Sequence, residues 1–328
     1  MSISVLIPAF RPRYLSQAIA SVLTQGVEDI EIVISDDSGG DDVAAVVGRF
    51  SDPRIRYLRT AGRVGGTENL RSLWALAASD QIKFLFDDDL MLPNALVELG
   101  DQLRKHPEAS FVFGHRDVID DVGRIQSEPR SIAPNKAALL RRDDLSGRIL
   151  PRCLNWIGEF SNLIMNRSCG LNLDDIYRYR GFDIEMLGDV AFYLNASAKG
   201  PAVGIGKTVG HFRKHDEQNS SQEFNPKFAK AVCEWELFVR GEYAAGVLTP
   251  EQALAGVDRV SQLYGYWGER LPELVPLVQG LPQLRERIES EDRDVLDPAF
   301  KESWGGVDLL VARRVARHGR PEVGEMQS

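Results

Sequence analysis

The sequence predicts an α/β fold: a doubly wound, mostly parallel sheet flanked by helices, followed by a C-terminal all-helical extension. Three observations carry that prediction. Strand-like and helix-like segments alternate from Ile3 to Leu90, which calls for parallel strands joined by right-handed crossovers. The strand segments are almost continuous apolar runs, as required where both faces of a sheet are covered. After Asn225 the pattern turns to amphipathic helix.

Ile3 to Ile7 (Ile-Ser-Val-Leu-Ile) forms the first strand, rich in β-branched residues and ended by Pro8. The loop from Pro8 to Arg13 leads into a helix from about Tyr14 to Thr24, with Leu15, Ile19, Val22 and Leu23 at helical spacing. Ile30 to Ile34 is the second strand. It runs into Ser35-Asp36-Asp37-Ser38-Gly39-Gly40-Asp41-Asp42, where Asp41 or Asp42 can cap a helix reaching about Phe50. A short strand, Arg54 to Leu58, and the glycine-rich turn Arg63-Val64-Gly65-Gly66-Thr67 precede a helix from about Glu68 to Ala78.

Gln81 to Phe86 is then a buried strand that ends in three consecutive carboxylates, Asp87, Asp88 and Asp89. Three adjacent acids cannot follow the strand into the core, because an unpaired buried carboxylate costs several kcal/mol. They belong at the carboxyl edge of the sheet, where open α/β sheets bind ligands. A divalent cation carrying a diphosphate would relieve their mutual repulsion. The plain alternative is a solvated turn with an acidic helix start, ended by Pro93.

Beyond Pro93 a helix runs to about His106, and Ser110 to Phe113 is a further strand. From about Asp117 to Pro151 the signals are polar and broken, so an insert or long loops are expected. Leu163 to Met165 is a short strand, Leu187 to Ala198 a helix with Asp189 in its first turn, and Ala202 to Ile205 a last strand. Helices are expected at Phe228 to Tyr243, from Pro250 to about Leu271, and in shorter pieces up to Arg317.

Composition narrows the function classes. A net charge of -9 speaks against a general polyanion or nucleic-acid binder, while leaving room for a local basic pocket. Cys153, Cys169 and Cys233 form no CxxC pair, so neither a disulfide framework nor a zinc site is expected, and a cytoplasmic setting fits. No apolar run approaches the roughly twenty residues of a membrane span, which leaves peripheral contact with the inner face of a membrane open. Nothing matches GxGxxG or a Walker loop, so a dinucleotide dehydrogenase or P-loop kinase has no support.

The order of these motifs resembles the family 2 glycosyltransferases of GT-A fold, over roughly residues 3 to 220. Ser4-Val5-Leu6-Ile7-Pro8-Ala9-Phe10 resembles their opening strand and nucleotide loop, and Ala18 to Gln25 resembles a first helix ending in Ser-Val-Leu-x-Gln. Ile32 to Ser38 is similar to the second strand, whose second Asp, here Asp37, is associated with the base. Phe86-Asp87-Asp88-Asp89 departs from the usual Asp-x-Asp-Asp in that Phe86 stands where the first Asp often is. Trp156-Ile157-Gly158-Glu159-Phe160-Ser161 resembles a Gly-Glu-Pro-Ser segment near the acceptor, with Phe160 in place of proline. Gly188-Asp189 looks like the position of the general base. Phe212 to Ser220 resembles a Tyr-Arg-x-His-x-x-Gln-x-Ser closure.

The resemblance implies a transferase domain over residues 1–222, with a donor half at about 1–115 and an acceptor half at about 116–222. A helical extension at 223–319 and a disordered tail at 320–328 would follow. It implies metal-dependent, inverting transfer of a sugar from a nucleoside-diphosphate sugar, UDP favoured, to a hydroxyl of a glycan, lipid-linked or other glycoconjugate acceptor. Asp189 would be the catalytic base. Pro8, Phe10, Arg11, Asp37, Arg63, Asn69, Asp87, Asp88 and Arg213 would bind the donor nucleotide. Asp88, Asp89 and His215 would hold Mn²⁺ or Mg²⁺, and Glu159 and Trp156 would face the acceptor. Plain rivals stand beside these roles: Asp189 as a helix N-cap, His215 packed on Phe212, Asp37 as a turn former and Glu159 as a buried structural acid. The rival functions are a catalytically silent scaffold and a sugar-phosphate nucleotidyltransferase, though the latter should carry a glycine-rich basic loop after the first strand. For the helical extension three roles are open: covering the acceptor side, pairing with a second copy as a homodimer, or lying on a membrane. Tyr264, Tyr266 and Trp267 could serve any of them.

Overall fold

The computed structural model describes residues 2–216 and 227–318. Gln218, Asn219 and Ser220 of the closure motif, and the tail at 320–328, lie outside the described residues. The chain divides into two compact units. One comprises Met1–Arg141, Trp156–Asp175 and Asn195–Asp216; the other comprises Arg142–Asn155, Ile176–Leu194 and Glu217–Ser328. The division therefore does not follow one cut near residue 222.

The first unit is built on a mixed sheet with strands β1 (Ile3–Ala9), β2 (Ile30–Asp36), β3 (Ile55–Arg59), β4 (Gln81–Phe84), β5 (Leu90–Met91), β6 (Phe111–Ile119), β7 (Ile125–Ser127), β8 (Ala137–Leu140), β9 (Leu163–Asn166) and β10 (Ala202–Arg213). Their order is β3-β2-β1-β4-β9-β6-β10-β5, with β7 paired to β6 and β8 to β10. The β1–β4 half is parallel, while β9 joins β4 and β6 antiparallel. Helices α1 (Pro12–Leu23), α2 (Asp42–Val47), α3 (Gly66–Leu76) and α4 (Ala95–Lys105) supply the crossovers.

Val5, Leu6 and Ile7 of β1 are wholly buried, as the apolar run required. Pro8 does not end this strand. Leu6 turns its carbonyl toward the β4 side and accepts Leu85 N–H (3.0 Å), and Pro8 has the same parity. The β4 pairing stops at Leu6, so the N–H that proline lacks is not needed there. α1 starts two residues earlier than Tyr14 because Pro12 occupies its first turn, where no N–H partner is required. Leu15, Ala18, Ile19 and Val22 of α1 pack with Ile32, Ile34, Leu96 and Leu99 in one core. Each such side chain contributes about 1.5–3 kcal/mol through burial.

Two further expectations fail locally. The stretch from Asp117 to Pro151 is not an extended loop: it completes β6, forms β7 and β8, and ends in a helix, α5 (Arg142–Ile149). The last strand runs to Arg213 instead of ending at Ile205, despite Gly204, Gly206 and Gly210. Glycine is needed at these places for space. A Cβ on Gly206 would lie 1.9 Å from Ala133 O, and one on Gly210 would lie 2.8 Å from Leu90 O.

The second unit contains α5, the start of α6 (Gly188–Ser197), α7 (Phe228–Ala244), α8 (Pro250–Trp267), α9 (Leu281–Glu289) and α10 (Pro298–His318). α8 opens with a capping box between Thr249 and Gln252. α7 is buried around its whole circumference, not amphipathic, and its charges are paired internally. Glu242 accepts from Arg142, Tyr179 Oη (2.7 Å) and Ser146 Oγ (2.9 Å), and Glu236 pairs with Arg240 and accepts Tyr264 Oη (2.6 Å). Buried carboxylates are tolerable only when satisfied in this way. Among the described residues no helix is long and apolar enough to cross a membrane.

Candidate active site

The acidic triplet follows β4, at the carboxyl edge of the parallel half of the sheet. Its three carboxylates have separate partners. Asp87 Oδ2 accepts the backbone N–H groups of Phe10 (2.7 Å) and Arg11 (2.8 Å), fixing the loop between β1 and α1. Asp88 Oδ2 lies 3.0 Å from His215 Nε2. Asp89, 1% exposed, accepts the Arg213 N–H at 3.0 Å and so holds the end of β10.

The short pairing of β5 with β10 explains how residues so far apart in sequence meet: His211 stands opposite Leu90 and Gly210 opposite Met91. The Ser-Val-Leu-x-Gln signature at the end of α1 fastens the same region. Ser21 Oγ accepts Met91 N–H (3.2 Å). The buried Gln25 donates to Leu92 O (2.9 Å) and accepts Leu96 N–H (3.1 Å). Two motif residues on a helix thus set the course of the chain just after the carboxylates.

Burial raises the pKa of Asp87 to about 6, against the N–H bonds from Arg11 and Phe10 and with help from Asp88. Burial, and then the charge of Asp88, pushes Asp89 well above the ordinary carboxylate range. Asp88 and His215 offer one carboxylate and one imidazole, two of the ligand types a divalent cation takes, with other positions left to phosphate and water. Among the described residues no group of three or more His, Cys, Asp or Glu side chains is arranged around one point. Asp88 and His215 are brought together, whereas Asp89, expected as a third ligand, is turned to the β10 backbone.

Other residues expected to contact the nucleotide make ties within the protein. Asp37 accepts Thr60 Oγ1 (2.8 Å), Val64 N–H (2.7 Å) and Gly65 N–H (2.8 Å), which pins the glycine-rich turn. Gly65 at φ +89° allows that turn. Asn69 is buried and donates to Ser35 O (3.2 Å). Arg213, expected as a phosphate cation, is 2% exposed. Its guanidinium donates to the carbonyls of Asp88, Asp120 and Asp121 and to Gln17 Oε1, and stacks on Tyr14 at 4.2 Å. Its charge is committed inside the fold. Half-buried Phe10, next to half-exposed Pro8, is flanked by the guanidinium groups of Arg11 (5.5 Å) and exposed Arg63 (5.3 Å).

Glu159 forms an ion pair with Arg116, and half-buried Trp156 packs edge-on against Phe113 at 5.6 Å. Gly158 makes room for that ion pair: a Cβ there would lie 2.6 Å from the Arg116 guanidinium. Sequence reasoning overlooked Arg116, Tyr14, Gln17 and Lys83. Lys83 was detectable as a single charge inside an apolar strand. It is 1% exposed, donates to Ser161 O, and burial lowers its pKa to about 7. Asp189 belongs to the second unit, in the first turn of α6, where its Oδ2 accepts from Asn155 Nδ2.

Comparison with known proteins agrees with these features. Residues 4–160 match the family model described as glycosyl transferase family 2. An uncharacterised protein of Mycobacterium tuberculosis is 30% identical over 200 residues, covering 58% of this chain and 60% of that one. A GalNAc(5)-diNAcBac-PP-undecaprenol β-1,3-glucosyltransferase of Campylobacter jejuni is 34% identical over 131 residues, 38% of this chain and 41% of its own. A UDP-Glc:α-D-GlcNAc-diphosphoundecaprenol β-1,3-glucosyltransferase of Escherichia coli is 28% identical over 138 residues, 41% and 54% respectively. The chain thus spans about half the length of the curated relatives it matches. The crystal structure of S. aureus TarS 1-349 in complex with UDP-GlcNAc covers 100% of this chain and 95% of that one, with a TM-score of 0.57 at 15% identity, a likeness of fold. With the sheet order, the acid-bearing edge and the family match in agreement, the chain carries a family 2 glycosyltransferase domain of GT-A fold.

Proposed function

We propose that this protein transfers a sugar from a nucleoside-diphosphate sugar, UDP favoured, to a hydroxyl of a glycan or lipid-linked glycan acceptor, with inversion at the anomeric carbon. The observation that carries the proposal is the pairing of Asp88 with His215 at the sheet's carboxyl edge, next to a loop gripped by Asp87. The lipid-linked acceptors named for two relatives favour an acceptor of that class, and with it peripheral contact with a membrane. Asp88 and His215 would hold Mn²⁺ or Mg²⁺. Bound there, the ion would act as a Lewis acid on the departing diphosphate.

The chain's own residues do the rest. Phe10 and Arg11, held by Asp87, line the nucleotide side together with Pro8, and Arg63 adds positive charge at the Phe10 ring. Trp156 and Glu159 are assigned to the acceptor, with Arg116 holding the Glu159 carboxylate. Asp189 is assigned as the base that takes the acceptor proton, its carboxylate oriented by the Asn155 amide. A single base without a second nucleophile gives one displacement and therefore inversion.

The test is transfer from UDP-glucose to a polyprenyl-diphosphate-linked monosaccharide. Asp189→Asn is expected to lower kcat by about 10²–10⁴-fold with UDP affinity unchanged. Unaltered turnover in that variant contradicts the base assignment. UDP binding with neither transfer nor hydrolysis of any nucleotide sugar would favour a silent binding protein.

A further inference from the structure

We infer that Glu234, on α7, is a positioning residue for Asp189: its carboxylate grips the chain immediately ahead of the helix that carries the base. The inference rests on the assignment of Asp189 made above. Glu234 is 0% exposed and accepts three successive backbone N–H groups. Those of Glu185 (2.8 Å), Met186 (3.2 Å to Oε2) and Leu187 (2.7 Å) all converge on it. Gly188 then opens α6, and Asp189 follows in its first turn.

The N–H groups of 185–187 lie just ahead of the helix, where no helical carbonyl accepts them, so a nearby side chain or water must do so. Here the acceptor comes from another helix, 47 residues along the chain for Leu187. A carboxylate at this place also complements the positive end of the helix dipole. The grip is supported from a second side. A Cβ on Gly188 would lie 2.9 Å from Ile176 Cγ2 and 3.2 Å from Ile176 O, so the turn sits directly against Ile176. An apolar residue at position 234 would fill the core without the desolvation cost of a carboxylate. What the carboxylate adds is a fixed backbone for 185–187, and therefore a fixed root for Asp189. The helical region thereby contributes to catalysis through its first helix.

The test combines Glu234→Gln, Asp189→Asn and the double variant in the full chain. Glu234→Gln is expected to leave binding of UDP with Mn²⁺ unchanged and to speed hydrogen exchange at the amides of 185–187. It should also lower kcat by about 10²-fold, the effect of misplacing a catalytic group by about 1 Å. In the Asp189→Asn background the same change should cost nothing further, because there is no base left to place. Glu234→Asp, which keeps the charge but withdraws it by one methylene, should lose less. Equal losses in both backgrounds would reveal a merely structural role and overturn the inference, as would exchange at 185–187 that does not change. Full turnover by Asp189→Asn alone would instead overturn the base assignment underneath.

Discussion

Arg213→Ala separates a structural tie from a phosphate contact. Arg213 is buried, and its guanidinium serves the carbonyls of Asp88, Asp120 and Asp121 as well as Gln17 Oε1. Truncation leaves those acceptors without their donor, at about 1–3 kcal/mol for each one that water cannot reach. Such losses are not additive within one network, and removing one member of a buried charged cluster typically costs about 3–5 kcal/mol. For a unit of this size each kcal/mol shifts Tm by roughly 2–4 °C, so a fall of about 10 °C is expected by calorimetry. Binding of UDP with Mn²⁺, measured well below that transition, should weaken less than about tenfold, the loss a direct charged contact would bring. A Tm within about 2 °C of wild type, together with a larger loss of UDP affinity, would refute this reasoning and restore Arg213 as a phosphate cation.

Three further outcomes follow from the geometry. Gly158→Ala sets a Cβ against Arg116 at a φ of +113°, so urea unfolding should show a loss of about 2 kcal/mol. Gln25→Leu leaves Leu96 N–H and Leu92 O without their buried partner, and a loss of about 2–4 kcal/mol is expected in the same assay. Burial raises the folded-state pKa of Glu234 to about 7, so its stabilising contribution is complete below its ordinary value of 4.5 and disappears as pH rises through about 7. The stability of wild type relative to Glu234→Gln should therefore fall by about 3 kcal/mol between pH 4.5 and 7.5, and a flat difference would refute the shift.

The parallel half of the sheet was legible because β1, β2 and β4 are short apolar runs separated by helices with clear periodicity. The edge position of Asp87, Asp88 and Asp89 followed from the same logic, since buried acids need partners. What the sequence concealed depends on contacts distant along the chain. Beyond Ile205, β10 reads as a loop because Gly206, Lys207 and Gly210 interrupt its pattern, and only the close approach of Ala133 and Leu90 explains Gly206 and Gly210. Pro8 reads as a stop until the end of the β4 pairing is known. Arg213 and Asp37 carry the residue types that contact nucleotides, yet their side chains hold backbone, which no local pattern distinguishes. Glu234 sits in an apparently amphipathic helix, and its role appears only once Glu185, Met186 and Leu187 are beside it.

The central claim, a donor site organised by Asp88 and His215, is tested most directly by calorimetric titration of UDP-, GDP- and dTDP-sugars with Mn²⁺ into wild type and Asp88→Ala. The account predicts metal-dependent binding, strongest for a UDP-sugar, that disappears in Asp88→Ala while the protein stays folded. A folded wild-type protein that binds no nucleotide sugar, or an Asp88→Ala variant that binds as well as wild type, would contradict it.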